Sequence, residues 1–334
     1  MPKACILIRH PTYIEGQTTY ARNFLKVLSM IYGKDLKIIV STRNAHNTPY
    51  ELYIRESLLL IKYQSCDDIH ILNINKVLPL ATRVIMKIHA RTITYQFSYL
   101  PTIHSDWRIK RAIIEKGSQI IIGTSRRIAE LFSKAYFIHP PINIELFKPG
   151  NKKKAKETLG LPGNTKLIGY IGDIDMKRGI DIVIDTAIKY SREGVKTLMV
   201  TPRLDSITKE TLEKLKQAYK DKAIIWITKP TPIWLIYNAI DVLLLPIRGE
   251  YPTEPPATLL EALSSGTPVI GTKSSSMSDY EELYIAVNEN EIPEVIDVAF
   301  ENEDLRAKAR DFAVKNLSYE AVANKLSRVL HICQ

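Results

Sequence analysis

Residues 241–272 read DVLLLPIRGEYPTEPPATLLEALSSGTPVIGT. The apolar run 242–245 has the length and composition of a buried strand and stops at Pro246. Nothing periodic follows until Ala257, where Thr258, Leu259, Leu260, Ala262 and Leu263 predict a helix. Gly266 ends that helix, and a second apolar strand, 268–271, follows directly. Two carboxylates, Glu254 and Glu261, lie in the loop and helix between the strands. Loops leaving the carboxyl ends of strands in an open parallel sheet are where ligands bind, so these carboxylates are functional candidates.

The same alternation extends along the whole chain. Strand patterns occur at 4–8, 36–40, 69–72, 84–88 and 119–122, with helical patterns near 18–32, 104–116 and 126–134. Further strands are predicted at 166–171, 196–200, 223–227, 242–245 and 268–271, separated by helices. Strand and helix in turn imply parallel sheets covered on both faces, hence an α/β chain of two doubly wound domains. The Pro- and Gly-punctuated segment from Pro140 to Gly150 suits a linker.

Composition narrows the class. A chain of 334 residues is comfortable for two domains, each with its own core. No apolar run reaches bilayer-spanning length, and the start of the chain lacks a signal-peptide layout, so a soluble, cytoplasmic protein is expected. Cys5, Cys66 and Cys333 show no paired or CxxC spacing, which argues against a disulfide framework or a cysteine zinc site. No His, Cys, Asp and Glu cluster has metal-ligand spacing, so no metal is expected.

Charge is unevenly divided. Residues 1–150 carry 21 Lys and Arg against 10 Asp and Glu, whereas the remainder is nearly balanced. A positive surface can meet nucleic acid, an anionic membrane surface or a phosphate-bearing acceptor. No nucleic-acid motif accompanies the charge, so no nucleic-acid partner is expected. Trp107, Arg108, Lys110 and Arg111 open a helical pattern that reads as a solvated outer helix or as one lying on a membrane.

The residues Glu254, Glu261-Ala262 and Gly266-Thr267-Pro268-Val269-Ile270 resemble the nucleotide-binding signature of retaining glycosyltransferase family 4. That resemblance implies a GT-B fold, two Rossmann-like domains facing a central cleft. It implies an N-terminal acceptor-binding domain over 1–148, a nucleotide-sugar-binding domain over 149–317, and a final helix, about 318–334, crossing back. The family separates its two glutamates by one residue more than the six found here, and Thr253 occupies the expected place of the first.

Roles follow residue by residue. Glu261 matches the glutamate that holds the ribose hydroxyls, and Glu254 the one that contacts the sugar or developing positive charge. Gly16, before a helix start, resembles the turn where backbone approaches the diphosphate, although the family's second glycine is Gln17 here. His89, after the pattern 84–88, resembles the histidine that touches the donor sugar. In the segment 167–181, Arg178 stands at the family's lysine position and Asp173 at its arginine position, with Lys177 or Arg248 available as a second cation for the leaving diphosphate. The resemblance also implies that the turns near Thr258 and Ser275 reach the phosphates.

The expected activity is metal-independent, retaining transfer of a sugar from a UDP- or GDP-linked donor, with no cofactor, to a glycan or lipid-linked acceptor hydroxyl. The expected place is the cytoplasm, peripheral at the inner membrane surface. A catalytically degenerate nucleotide- or sugar-binding protein of the same fold is the alternative, consistent with Asp173, Gln17 and the shortened glutamate spacing.

Overall fold

The computed structural model describes residues 3–9, 16–41, 49–72, 76–201, 207–227, 231–249 and 253–332. The chain divides into two compact units, one of residues 1–141, 252–255 and 317–334, the other of residues 142–251 and 256–316.

The first unit is built on β1 (Ala4–Arg9), β2 (Leu36–Ser41), β3 (Asp68–Ile71), β4 (Arg91–Gln96), β5 (Ile120–Gly123) and β6 (Ala135–Phe137). They pair in the order β2-β1-β3-β4-β5-β6, all parallel. Parallel strands require crossover helices, which cover both faces, so β3 and β5 are buried along their whole length. The helix Gly16–Tyr32 packs against the final helix Tyr319–Ile332, and the Tyr319 hydroxyl donates to Asn23 Oδ1 at 3.2 Å.

The second unit is built on β7 (Leu167–Ile171), β8 (Lys196–Val200), β9 (Ile224–Ile227), β10 (Val242–Leu245), β11 (Val269–Thr272) and β12 (Ile285–Val287). Their order is β12-β11-β10-β7-β8-β9, again all parallel. Its core joins Ile168, Val242, Leu244 and Ile270 from the strands to Ile180, Val183, Ile184 and Ala187 from the helix Ile180–Ser191. The lysine run at 152–156 opens a helix capped by Asn151, whose side chain accepts from the Lys154 amide at 2.9 Å. Lys152 and Lys156 close onto Asp241 at 2.9 and 2.8 Å, so two of the four lysines in this run are committed to packing, while Lys153 and Lys154 are exposed.

One strand falls elsewhere than the sequence suggests. Residues 84–88 are not a strand: the helix Val77–Ile85 covers the start of this run, burying Pro79, Leu80 and Arg83 on one side, and Lys87 turns it with φ 50°. The strand in question is β4, whose polar residues disguised it. Arg91 pairs with Asp68 at 2.6 Å, and Thr94 shares a hydrogen bond with Ser118 at 3.0 Å, so these buried polar groups are satisfied within the core.

The cysteines also depart from expectation. Cys5 on β1 and Cys66 just before β3 form a disulfide, with α-carbons 6.0 Å apart, because strand pairing brings together residues far apart in sequence. Cys333 lies outside the described residues.

Candidate functional site

A doubly wound sheet binds ligands where its strand order reverses, since the loops leaving the two strands there diverge and open a crevice. In the second unit that point lies between β7 and β10, which are neighbours in the sheet but lead to opposite sides of it. The segment after β7 carries Lys177 and Arg178, and the helix that follows β10 carries Thr258 and Glu261.

After β7 the chain passes Gly172, at φ 148°, and Asp173, then forms a short turn of helix, Met176–Arg178, capped by Asp175. Gly179, at φ 64°, opens the helix Ile180–Ser191. Both glycines are favoured by backbone angle; a β-carbon on Gly179 would also collide with the Pro246 carbonyl, and one on Gly172 would displace the Arg178 guanidinium. Gly179 therefore lets the loops after β7 and β10 approach backbone to backbone.

Arg178 donates through Nη2 to Asp173 Oδ2 at 3.3 Å, and the Asp173 carbonyl accepts from the Tyr170 hydroxyl at 2.6 Å. Asp173 is thus the ion-pair partner of the residue expected to bind phosphate. Arg178 and Thr258 meet with Tyr170, Leu245, Ile247 and Pro256 around a small cavity of about 20 Å³. Lys177 is exposed, and its ammonium has no hydrogen bond or ion pair among the described residues. Arg248 is committed elsewhere: it makes two 2.8 Å bonds to Asp181 and one of 2.9 Å to Glu289, which together hold its guanidinium above its ordinary pKa. Of the two residues expected to supply a second cation, Arg248 is ion-paired and Lys177 is not, among the described residues.

The helix Ala257–Ser264 starts with Thr258 in its first turn and carries Glu261 one turn on. Glu261 is largely buried, and its Oε2 accepts from the Tyr237 hydroxyl at 2.9 Å. Tyr237 fixes one carboxylate oxygen and orients the other; nothing in its sequence position, in the helix Ile233–Ala239, signals this. Ser275 is exposed at the start of the turn of helix following β11, where Ser274 Oγ, not that of Ser275, caps the chain and donates to the Gly249 carbonyl at 3.2 Å.

Glu254 belongs to the first unit, not the second. Its side chain has no exposed surface. Oε2 accepts from Ser125 Oγ at 3.0 Å, Arg127 donates to both oxygens, and Thr124 Oγ1 donates to the Glu254 carbonyl at 2.6 Å. Arg127 also lies over the Tyr99 ring, 3.8 Å from its centroid. A carboxylate so enclosed anchors its loop. His89 is exposed and stands two residues before β4, so it lies at the amino edge of the first sheet, away from the edge where parallel sheets bind ligands. Gly16 is the first residue of the helix Gly16–Tyr32; the turn before it, with His10, lies outside the described residues.

Comparison with known proteins agrees with this architecture. Residues 165–330, nearly half the chain, match the family described as glycosyl transferases group 1. A stretch of 184 residues is 25% identical to a D-inositol 3-phosphate glycosyltransferase of Corynebacterium urealyticum, covering 49% of this chain and 42% of that protein, so the likeness spans less than half the relative's length. The solved structure of Anabaena Alr3699/HepE with UDP and glucose superposes with a TM-score of 0.77 at 14% identity, covering 99% of this chain and 100% of that one. Sucrose-phosphate synthase from Thermosynechococcus elongatus superposes with a TM-score of 0.75 at 17% identity, each chain covered to 98%. The fold is the GT-B fold of glycosyltransferases.

Proposed function

We propose that this protein is a glycosyltransferase that moves a sugar from a UDP- or GDP-linked donor to an acceptor hydroxyl with retention of anomeric configuration and without a metal. The observation that carries the proposal is the convergence of Arg178, Gly172, Gly179 and Thr258 at the point of strand reversal in the second sheet, with Glu261 one helical turn from Thr258.

The donor's diphosphate takes the position facing Arg178, where the guanidinium offers a fork of donors and Gly172 keeps the backbone clear. Negative charge accumulates on the diphosphate as the glycosidic bond breaks, so a cation held there stabilises the transition state more than the ground state. Lys177 adds a second positive charge. Glu261, with one oxygen fixed by Tyr237, accepts hydrogen bonds from the ribose hydroxyls. The acceptor oxygen attacks the anomeric carbon from the face the diphosphate leaves, and a departing phosphate oxygen takes the acceptor's proton, so no protein nucleophile is needed. Glu254 and His89 are left out of the reacting set because one is enclosed by Arg127 and the other stands at the amino edge.

The acceptor belongs to the first unit, which carries the positive charge excess and exposes Ile54, Leu58, Ile85, Met86 and Ile109. Apolar side chains among cations suit an anionic membrane surface at the cytoplasmic side, where a lipid-linked acceptor would be met. No described helix is long and apolar enough to cross a membrane.

Slow donor hydrolysis tests the proposal. Free sugar released from a UDP- or GDP-sugar by the wild type, and abolished in Glu261→Ala, is the expected result. Nucleotide binding with no release of sugar by the wild type, with or without candidate acceptors, would instead assign the chain to the binding proteins of this fold.

A further inference from the structure

Two clefts of the second unit lie away from its strand reversal, at the edge strand β9, which pairs with β8 alone. One, of about 1000 Å³, is lined by β9 and the helices Lys152–Thr158 and Ile233–Ala239. The other, of about 670 Å³, is lined by β9, the end of the helix Lys209–Lys220 and the turn before β7. They share Tyr219 and Trp226 and so form one groove. Three aromatic rings furnish it. Tyr219 is 54% and Trp234 39% exposed, and Trp226, half-buried, donates its indole N–H to Thr201 Oγ1. Tyr219 and Trp226 meet at 81° with centroids 6.4 Å apart, so they pack at right angles rather than stacking. Large rings left open to water inside a concave surface mark a place where a ligand covers them.

The charge of the groove has one sign. Lys154, Lys196, Lys220 and Lys222 line it, and none of their ammonium groups has an ion pair or hydrogen bond among the described residues. No carboxylate stands among the described lining residues. Asp221, between Lys220 and Lys222 in the chain, is held by Gln217, whose Nε2 donates to both of its oxygens at 2.9 Å. Four like charges around one concavity attract an anion, so the occupant must bring negative charge and apolar faces together. A chain of uronic acid rings does both. Its C–H faces stack on aromatic side chains, its carboxylates meet the lysines, and its hydroxyls meet the free backbone groups along the outer edge of β9. An acidic peptide would instead extend the sheet, and β9, four residues long, offers only a short ladder for that. A second copy of this chain would set the lysines against one another.

We propose that the groove at the β9 edge binds an acidic polysaccharide, with Tyr219 and Trp234 as stacking platforms and the four lysines as partners for its carboxylates. The site stands two strands from β7, where the donor is placed, and does not depend on the transferase reading. It gives the second unit a hold on a long glycan that is separate from the nucleotide site.

Calorimetric titration of the full chain tests this, comparing oligogalacturonate with a neutral maltooligosaccharide of the same length, with polyglutamate and with oligothymidylate. Oligogalacturonate should bind, at least about tenfold more tightly than the other three, and its affinity should fall as salt is added. Tyr219→Ala should weaken that binding about threefold to tenfold, and Tyr219→Phe, which keeps the ring, should restore it. Lys220→Gln together with Lys222→Gln should weaken it about fivefold or more. Both lysines are exposed, so this double variant should keep the wild-type Tm, and its loss of binding is then not a loss of folding. No binding of oligogalacturonate, or binding unchanged in Tyr219→Ala and in the double lysine variant, would overturn the proposal. Polyglutamate or oligothymidylate bound as tightly would overturn it too, by reducing the groove to a patch of charge.

Discussion

The guanidinium of Arg178 lies so close over Gly172 that a β-carbon there would collide with its Nη1. Gly172 also has φ 148°, a backbone angle that L side chains rarely adopt. Gly172→Ala should therefore both strain the backbone, by about 1–3 kcal/mol, and push the guanidinium away from the phosphate position. UDP affinity should fall about tenfold or more, beyond what a modest drop in Tm would account for. Calorimetric titration of the variant checks it, and unaltered UDP affinity would contradict it.

In the proposed reading, Asp173 competes with the diphosphate for Arg178. Its carboxylate sits 3.3 Å from Arg178 Nη2, so it both neutralises the arginine and repels an incoming anion. Asp173→Asn should tighten UDP binding by about threefold to tenfold. Weaker binding in this variant would show that Asp173 organises the site.

Arg127 and Glu254 form a buried pair whose members should respond unequally. Arg127→Ala removes the arginine from a carboxylate with no exposed surface, and should cost about 3–5 kcal/mol of stability. Glu254→Gln keeps an acceptor for Ser125 Oγ and should cost less. Urea unfolding of both variants ranks them. Because Glu254 anchors a loop in this geometry, Glu254→Gln should also keep donor hydrolysis within about tenfold of wild type, whereas loss of activity as in Glu261→Ala would return Glu254 to the reacting set.

A buried histidine, His70, and a half-buried one, His139, should set an acid limit on stability. His70, enclosed between the hydroxyls of Tyr95 at 2.9 Å and Tyr32 at 3.1 Å, is pushed down to about 4 by burial, and His139 to about 3. Their folded pKa values lie below the unfolded one, so the unfolded chain binds more protons below about pH 6.5 and stability falls as pH falls, His70 alone accounting for about 3 kcal/mol by pH 4. Above that window the contribution is fully present. Unfolding free energy measured against pH should fall with a slope approaching two protons, and His139→Gln should remove about one; a flat profile would contradict this.

The second unit was legible because its signals are local. Gly266-Thr267-Pro268 ends a helix and starts a strand through turn chemistry that depends on neighbours in sequence, and β10, β11 and the helix Ala257–Ser264 all lie within a residue of where the pattern puts them. The first unit was less legible because its decisive facts are long-range. Arg91 and Thr94 read as loop residues until Asp68 and Ser118 satisfy them, which hid β4 and placed a strand end beside His89. The same limit explains Glu254. Its spacing from Glu261 is visible in sequence, but Arg127 and Ser125, which enclose it, lie far upstream. The Cys5–Cys66 disulfide needed the β1 and β3 pairing before it could be seen.

Nucleotide binding by the second unit is the central claim, and titration of UDP and GDP into the wild type and Arg178→Ala tests it most directly. One of the two nucleotides should bind the wild type and raise its Tm, by an amount corresponding to about 2.7 kcal/mol at a concentration of about 100 Kd, and Arg178→Ala should lose at least about tenfold in affinity. No stabilisation by either nucleotide at about millimolar concentration, or equal affinity in Arg178→Ala, would contradict the account.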